Sequence, residues 1–133
     1  MPGVSELSEF FRTEFPQQQV VIESVGNRAA RIRRPVDAAD LRPGNTVSGP
    51  FMMGVADTAL YAAILAEIGL VALAVTTSLN INFFRRPSAT ADVIGDCKLL
   101  KVGKKLIVGE VTLYSAGDNK PIAHAVGTYA LPD

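Results

Sequence analysis

The chain has 133 residues, 48% of them hydrophobic and 20% charged, and its 13 Lys plus Arg balance 13 Asp plus Glu. That length suits a single domain, residues 1–133, whose core needs neither disulfides nor a structural metal. Zero net charge argues against a nucleic-acid binder, which carries a basic footprint. The balance is uneven, however: from Pro43 to Phe84 the only charged side chains are Asp57 and Glu67.

Residues 1–16 carry a short amphipathic helix over Ser5 to Phe15, with Leu7, Phe10 and Phe11 at helical spacing and Pro16 as its stop. This segment lacks the basic start and continuous apolar run of a signal peptide. The single cysteine, Cys97, allows no internal disulfide, so the expected location is a reducing cytoplasm. Gln19 to Val25 and Arg28 to Arg34 read as extended runs around Gly26-Asn27, a dipeptide suited to a tight hairpin. Pro35 to Val47, rich in Pro, Gly and Asp, reads as a long loop.

Residues 50–68, Pro50 to Ile68, form the strongest predicted helix. Pro50 lies in the first turn, where its missing N–H costs nothing, and Gly69 is placed to take a left-handed C-terminal position. At 1.5 Å per residue the helix spans about 28 Å. Val55, Ala56, Ala59, Leu60, Ala62, Ala63, Leu65 and Ala66 leave it apolar nearly all round, so it must be enclosed. With mean hydropathy +0.24 for the chain, a membrane span has to be considered. It fails, because a central acid costs about 2.5 to 3.5 kcal/mol there and the window holds both Asp57 and Glu67. Burial in a protein core or a subunit interface is the better reading.

The remainder is β. Val75, Thr77, Leu79, Ile81 and Phe83 alternate with Thr76, Ser78, Asn80 and Asn82 in a period-2 strand that Pro87 closes. Thr90 to Lys101 and Leu106 to Ser115 flank a Val102-Gly103-Lys104-Lys105 turn, and Pro121 to Leu131 follows Gly117-Asp118-Asn119 as the last strand. A single sheet must bury its apolar face, and one apolar helix is available to receive it. The predicted fold class is therefore α+β, a curved antiparallel sheet wrapped around residues 50–68. A cystatin-like cone, with the helix outside the sheet, fits the same pattern.

Two stretches resemble a known family. Ser48-Gly49-Pro50-Phe51-Met52-Met53-Gly54-Val55-Ala56-Asp57-Thr58-Ala59 is similar to a His-Gly-Gly start followed by a helix carrying (Leu/Val)-Ala-Asp-Thr-Ala. Thr76 to Pro87 is similar to the strand that ends in an aromatic residue and Arg-Pro. In both, the chain resembles the hotdog-fold thioesterase superfamily, and within it the PaaI-like acyl-CoA thioesterases. The resemblance implies a homodimer with two sheets joined edge to edge, in some members paired into a homotetramer, and hydrolysis of acyl-CoA at the dimer interface. It implies Asp57 as the catalytic acid residue, the Gly49 backbone N–H as the donor that polarises the thioester carbonyl, and Thr76 as the hydroxyl that orients the attacking water. Ser48 stands where the family has His and Pro50 where it has a second Gly, which bears on rate and substrate more than on fold. The loop amide of the family falls strictly on Arg42, and Asn45 is the only amide available nearby.

The residues can be weighed on their own chemistry. Thioester hydrolysis needs a base or nucleophile at the acyl carbon and a donor at the developing oxyanion. Asp57 lies about two turns into the helix, on a stripe with Gly54, Tyr61 and Ile64 that we assign to the substrate or the partner subunit. The structural alternative is a buried carboxylate held by hydrogen bonds, or one on a wet edge of the helix, but buried acids without partners are rare and costly. Gly49 gains from the free N–H groups of a helix start. Asn45, Ser48 and Tyr61 are candidate substrate contacts. Arg85 and Arg86, with Lys101, Lys104 and Lys105, are either a solvated charge run or a rim for coenzyme A phosphates. His124, among apolar residues of the last strand, reads as a packed, hydrogen-bonded histidine, and one His with one Cys makes no metal site.

The expected function is thus hydrolysis of a short- or medium-chain or aryl acyl-CoA. It needs no cofactor, since coenzyme A is part of the substrate, and its partners are the substrate and a second copy of the chain, with no nucleic acid and no membrane. The replacements at Ser48 and Pro50 motivate a second reading, a non-catalytic acyl-CoA or small-ligand binding protein. A hydratase of the same fold is disfavoured, because such sites need a His near the central helix.

Overall fold

A computed structural model describes residues 1–16 and 19–132. Helix α1 (Val4–Glu14) precedes the hairpin β1 (Val21–Gly26) and β2 (Ala29–Arg34), and a small two-stranded ladder, β3 (Leu41–Arg42) and β4 (Thr46–Val47), leads into α2 (Gly49–Ile68). Strands β5 (Val75–Phe83), β6 (Val93–Val102), β7 (Leu106–Ser115) and β8 (Ala123–Ala130) complete an antiparallel sheet in the order β1-β2-β6-β7-β8-β5. The sheet wraps α2 as the hotdog resemblance implies, and the helix lies against it rather than outside it. Among residues of α2, Ala56, Ala59, Leu60, Ala62, Ile64 and Leu65 have no solvent exposure. This helix is long and apolar enough to cross a membrane by composition alone, and it spends that apolarity on the core.

The sheet can approach the helix because it carries glycines where the approach is closest. Gly109 of β7 and Gly127 of β8 face each other across the ladder. The two methyls of Leu60 rest one on each: a Cβ at Gly109 would lie 2.5 Å from Leu60 Cδ1, and one at Gly127 would lie 2.6 Å from Leu60 Cδ2. Gly95 of β6 plays the same part beneath Ala59 and Val55, at 3.2 and 3.3 Å. The alanines of α2 and the glycines of the sheet thus act together, and the space between them is filled by one leucine. Such interdigitation leaves no room for an added methylene.

Several boundaries differ from the sequence-based expectation. The first turn is centred on Asn27 and Arg28, both at positive φ (54° and 59°), one residue later than Gly26-Asn27, with Gly26 paired to Ala29. That register lets Ile22, Ala30 and Ile32 all face the core. The predicted loop from Pro35 contains a short 3-10 turn, Ala38–Asp40, capped by the Asp37 carboxylate, and the β3–β4 ladder. Helix α2 begins at Gly49, one residue earlier, because Ser48 caps it. Gly69 has φ 106° and an extended ψ of 173°, so it ends the helix in a glycine-only conformation other than the left-handed turn. Strand β6 begins at Val93 rather than Thr90, and β8 spans Ala123–Ala130 within the expected run.

The two edges of the sheet are unlike. At β1, Glu23 accepts from Arg31 and Arg33 (3.0 and 2.8 Å), a bulge falls between Ile22 and Ser24, and α1 packs alongside. The Arg33 guanidinium, and Arg31 with it, hold the Glu23 carboxyl below the usual carboxylate range. Charges and bulges protect an edge from pairing. β5, the other edge, has nine residues with neither charge nor proline.

Replacing Gly127 by Ala is expected to cost about 1 to 3 kcal/mol, the usual penalty for overpacking a filled core. Leu60→Val added to that variant should recover part of the loss. Urea denaturation of the single and double variants measures both, and a Gly127→Ala protein as stable as wild type would contradict this packing account.

Candidate active site

Asp57 emerges from the middle of α2 beside β5 and β8, where the sheet edge leaves the helix half uncovered. Its Oδ1 accepts two hydrogen bonds, from Thr76 Oγ1 at 2.7 Å and from Tyr129 Oη at 2.8 Å. The two donors are cross-strand partners, since Thr76 of β5 pairs with Tyr129 of β8. Oδ2 accepts no hydrogen bond among the described residues. Asp57 makes no ion pair there either, so two hydroxyls rather than a cation satisfy it.

The carboxylate borders two grooves. The larger, about 460 Å³, is lined by Phe15, Tyr61, Ala72, Ala74, Val75, Thr76 and Tyr129 along with Asp57 and Thr58. The smaller, about 260 Å³, lies towards the start of α2 and includes Arg34, Pro50, Phe51 and Gly54. Arg34 is committed there: it pairs with Asp40 at 3.3 Å and lies 4.7 Å over the Phe51 ring. The walls of the larger groove are a stack of rings. Tyr61 lies on Tyr129 (5.8 Å, 23° between planes), and Phe11 and Phe15 meet Tyr61 edge-on. Tyr61 Oη donates to the Ala72 carbonyl at 3.0 Å. Burial pushes the ionisation of both phenols upward, reinforced at Tyr129 by the Asp57 charge and at Tyr61 by Glu14.

Of the residues singled out in the sequence, the fold brings together Asp57, Thr76 and Tyr61. Gly49, at the start of α2, lies eight residues from Asp57, about 12 Å along the helix axis at 1.5 Å per residue. Its N–H meets no acceptor among the described residues, and a Cβ there would lie 3.4 Å from the Phe83 ring. Ser48 is occupied as the helix cap, its Oγ accepting from Phe51 N–H at 3.2 Å. Asn45 sits exposed at positive φ (55°) in the β3–β4 turn and borders neither groove. Arg85 and Arg86 are exposed just beyond β5. The stripe assigned to substrate or partner divides: Gly54 is exposed and Asp57 half-buried, whereas Ile64 is fully in the core.

His124 Nε2 donates to Glu110 Oε1 at 2.9 Å across β7 and β8, so the histidine is hydrogen-bonded as expected, although it is partly exposed rather than packed among the apolar residues of the strand. Cys97 is buried, and desolvation, with Asp96 and Glu110 adding to it, pushes its thiol up to about 12, which leaves it unreactive. No cluster of metal-binding side chains occurs among the described residues.

Tyr129 is the site residue that sequence reasoning missed. Ala123, Ala125 and Gly127 precede it at inward positions of the last strand, so a lone large side chain with a polar tip was visible in the pattern. A buried tyrosine hydroxyl needs a partner. Which partner depends on the β5–β8 register, and that is a tertiary fact.

The profile of the Thioesterase superfamily matches residues 44–122. No protein of curated function matches the chain. Among solved structures, a proposed thioesterase from a Silicibacter species is 39% identical with a TM-score of 0.91, covering 98% of this chain and 92% of that one. Zebrafish thioesterase superfamily member 2 superposes with a TM-score of 0.87 at 21% identity, over 99% of this chain and 100% of its own. The PaaI protein of the Escherichia coli phenylacetic acid degradation operon gives 0.83 at 18%, over 98% and 91%. At those last two identities the likeness is one of fold.

Ser48→Ala should cost about 1 kcal/mol through the lost cap, and Ser48→Asp should largely retain stability, since Asp caps equally well. Chemical denaturation of the two variants decides it: equal stability of Ser48→Ala and wild type would show that the cap contributes nothing.

Proposed function

Because the chain belongs to the Thioesterase superfamily, we propose that it hydrolyses the thioester of a short- or medium-chain or aryl acyl-CoA, with the Asp57 carboxylate driving the attack. The observation that carries this reading is a half-buried carboxylate at the rim of an apolar groove, fixed by two hydroxyls on one oxygen and, among the described residues, with no counter-cation and no donor on the other. Such a group can attack the acyl carbon itself or take the proton of a water that does. In either route the C–S bond breaks, coenzyme A leaves as its thiol after protonation, and the acid is released once water has supplied its oxygen. The apolar groove of about 460 Å³ suits an acyl group of modest size.

One chain is not enough for this chemistry. A donor on the carbonyl oxygen and a carboxylate at the carbonyl carbon must both lie within contact of one functional group. The Gly49 N–H of the same chain is about 12 Å away along α2. The bare β5 edge supports a solution. Nine residues of uncharged strand, paired only on the β8 side among the described residues, invite antiparallel pairing with a second copy, and Val75, Phe83 and Phe84 add exposed apolar surface at its ends. Pairing centred on Leu79 sets Thr76, and with it Asp57, against the end of the other strand. The Phe83 ring lies beside Gly49 of its own chain, so the same pairing would bring Gly49 of the partner subunit towards Asp57. Arg85 of the partner subunit and Arg86 of the partner subunit would follow at the same end, where coenzyme A phosphates need a cationic rim. The active species is therefore a homodimer with two composite sites, and it needs no cofactor. Asn45 and Ser48 serve the turn and the helix cap, and Tyr61 shapes the groove.

A thiol-release assay over an acyl-CoA panel tests the reading. Wild type should turn over at least one member, and Asp57→Asn should lose turnover by at least about a thousandfold while still binding acyl-CoA. Full activity in that variant removes Asp57 from the reaction. Binding of acyl-CoA by wild type with no hydrolysis of any substrate would favour a carrier instead.

A further inference from the structure

We infer that Tyr129 is a positioning residue for this hydrolysis: together with Thr76 it engages Oδ1 of Asp57 and leaves Oδ2 as the oxygen that meets the acyl carbon or the attacking water. The inference rests on Asp57 being the reacting carboxylate, as proposed above. The torsion of a carboxylate about its last bond is broad, so a lone Asp57 would present either oxygen over a wide range of angles. Two hydroxyls from two different strands, at 2.7 and 2.8 Å on the same oxygen, remove that freedom. The second oxygen accepts nothing among the described residues. The asymmetry is the point: donors divided between the oxygens would satisfy the charge but leave neither free.

The direction of the Tyr129 bond is settled by chemistry. An ionised carboxylate accepts only, so the phenol donates. Burial keeps that phenol protonated. The ring is also prevented from swinging away. Tyr129 is 4% exposed, it lies on Tyr61, and Tyr61 is held by its own bond to Ala72 and by the edges of Phe11 and Phe15. A line of packed rings therefore runs from helix α1 to the reacting carboxylate, and preorganisation of this kind lowers a barrier without adding a contact to the substrate. Few charges could share the role. Arg34 of β2 borders the smaller groove but pairs with Asp40, and Glu14 of α1 acts on Tyr61. No other ionic side chain lines either groove among the described residues.

The test is steady-state thiol release by wild type, Tyr129→Phe, Thr76→Val and Asp57→Asn, with a thermal melt of each protein. Tyr129→Phe keeps the ring and its stack and loses only the donor. Its kcat should fall about ten- to a hundredfold, the effect of losing one hydrogen bond to a charged group. KM should change less than about threefold, because the lost bond orients the carboxylate rather than holds substrate. Thr76→Val should lower kcat and spare KM in the same way, and it carries the test should Tyr129→Phe fail to fold. Unchanged kcat in a folded Tyr129→Phe, with Asp57→Asn inactive, overturns the positioning role alone. A lower kcat with a KM raised by the same factor also overturns it, leaving Tyr129 a residue that shapes the groove. Wild type that releases no thiol, or an active Asp57→Asn, overturns the hydrolytic reading and this inference with it.

Discussion

A helix apolar on nearly every side has to be enclosed, and one six-stranded sheet can enclose only part of it. Most features of this protein follow from that constraint. The sheet comes close enough to cover α2 because glycines at positions 95, 109 and 127 meet the helix where the approach is tightest, with Leu60 seated over the Gly109–Gly127 pair. Hydrophobic burial drives the wrapping, and small residues on both surfaces set how tight it becomes. The sheet runs out at β5. There the helix surface is half covered, and the side chain at that seam is Asp57 rather than another alanine.

The seam joins fold to function. A carboxylate deep in the core would need a counter-charge, and one in free solvent would be an ordinary surface acid. At the seam it is partly desolvated and held by hydroxyls that the sheet already provides, because Thr76 and Tyr129 are neighbours in the β5–β8 ladder. The same edge that exposes the carboxylate also leaves the outer side of β5 without a partner strand among the described residues. The proposed second copy would thus complete both the sheet and the site, by covering β5 and by supplying the backbone donor that one chain holds about 12 Å away.

Much of this was legible in the sequence, for identifiable reasons. The limits of β5 and β7 match the expected runs residue for residue, because their alternation is regular and glycine or proline closes them. The enclosure of residues 50–68 followed from composition alone. Asp57 stood out because the only other charged side chain in that stretch is Glu67, which lies near the helix end and 3.8 Å from Arg28. What stayed hidden is tertiary. Ser48 looks like a substitution in a substrate loop, yet it caps the helix. Asn45 looks like a spare amide, yet the left-handed turn uses it. Tyr129 looks like one more core aromatic until the strand register sets it against Thr76. The turn at Asn27–Arg28 slipped by one residue because burial of Ile22 and Ile32, rather than the preferred dipeptide, decided the register.

The claim on which the functional account turns is that each site takes its carboxylate from one chain and its oxyanion donor from the other. Mixing two inactive variants tests it directly. Asp57→Asn removes the carboxylate, and Gly49→Pro removes the backbone N–H at a first-turn position where proline's φ is tolerated. In a mixed dimer one site would hold both lesions and the other would hold neither. Refolding the two together in equal amounts should then restore about a quarter of wild-type activity, since half the dimers are mixed and half their sites intact. If the mixture stays as inactive as either variant alone while dimers still form, each site draws both groups from a single chain and the composite account is wrong.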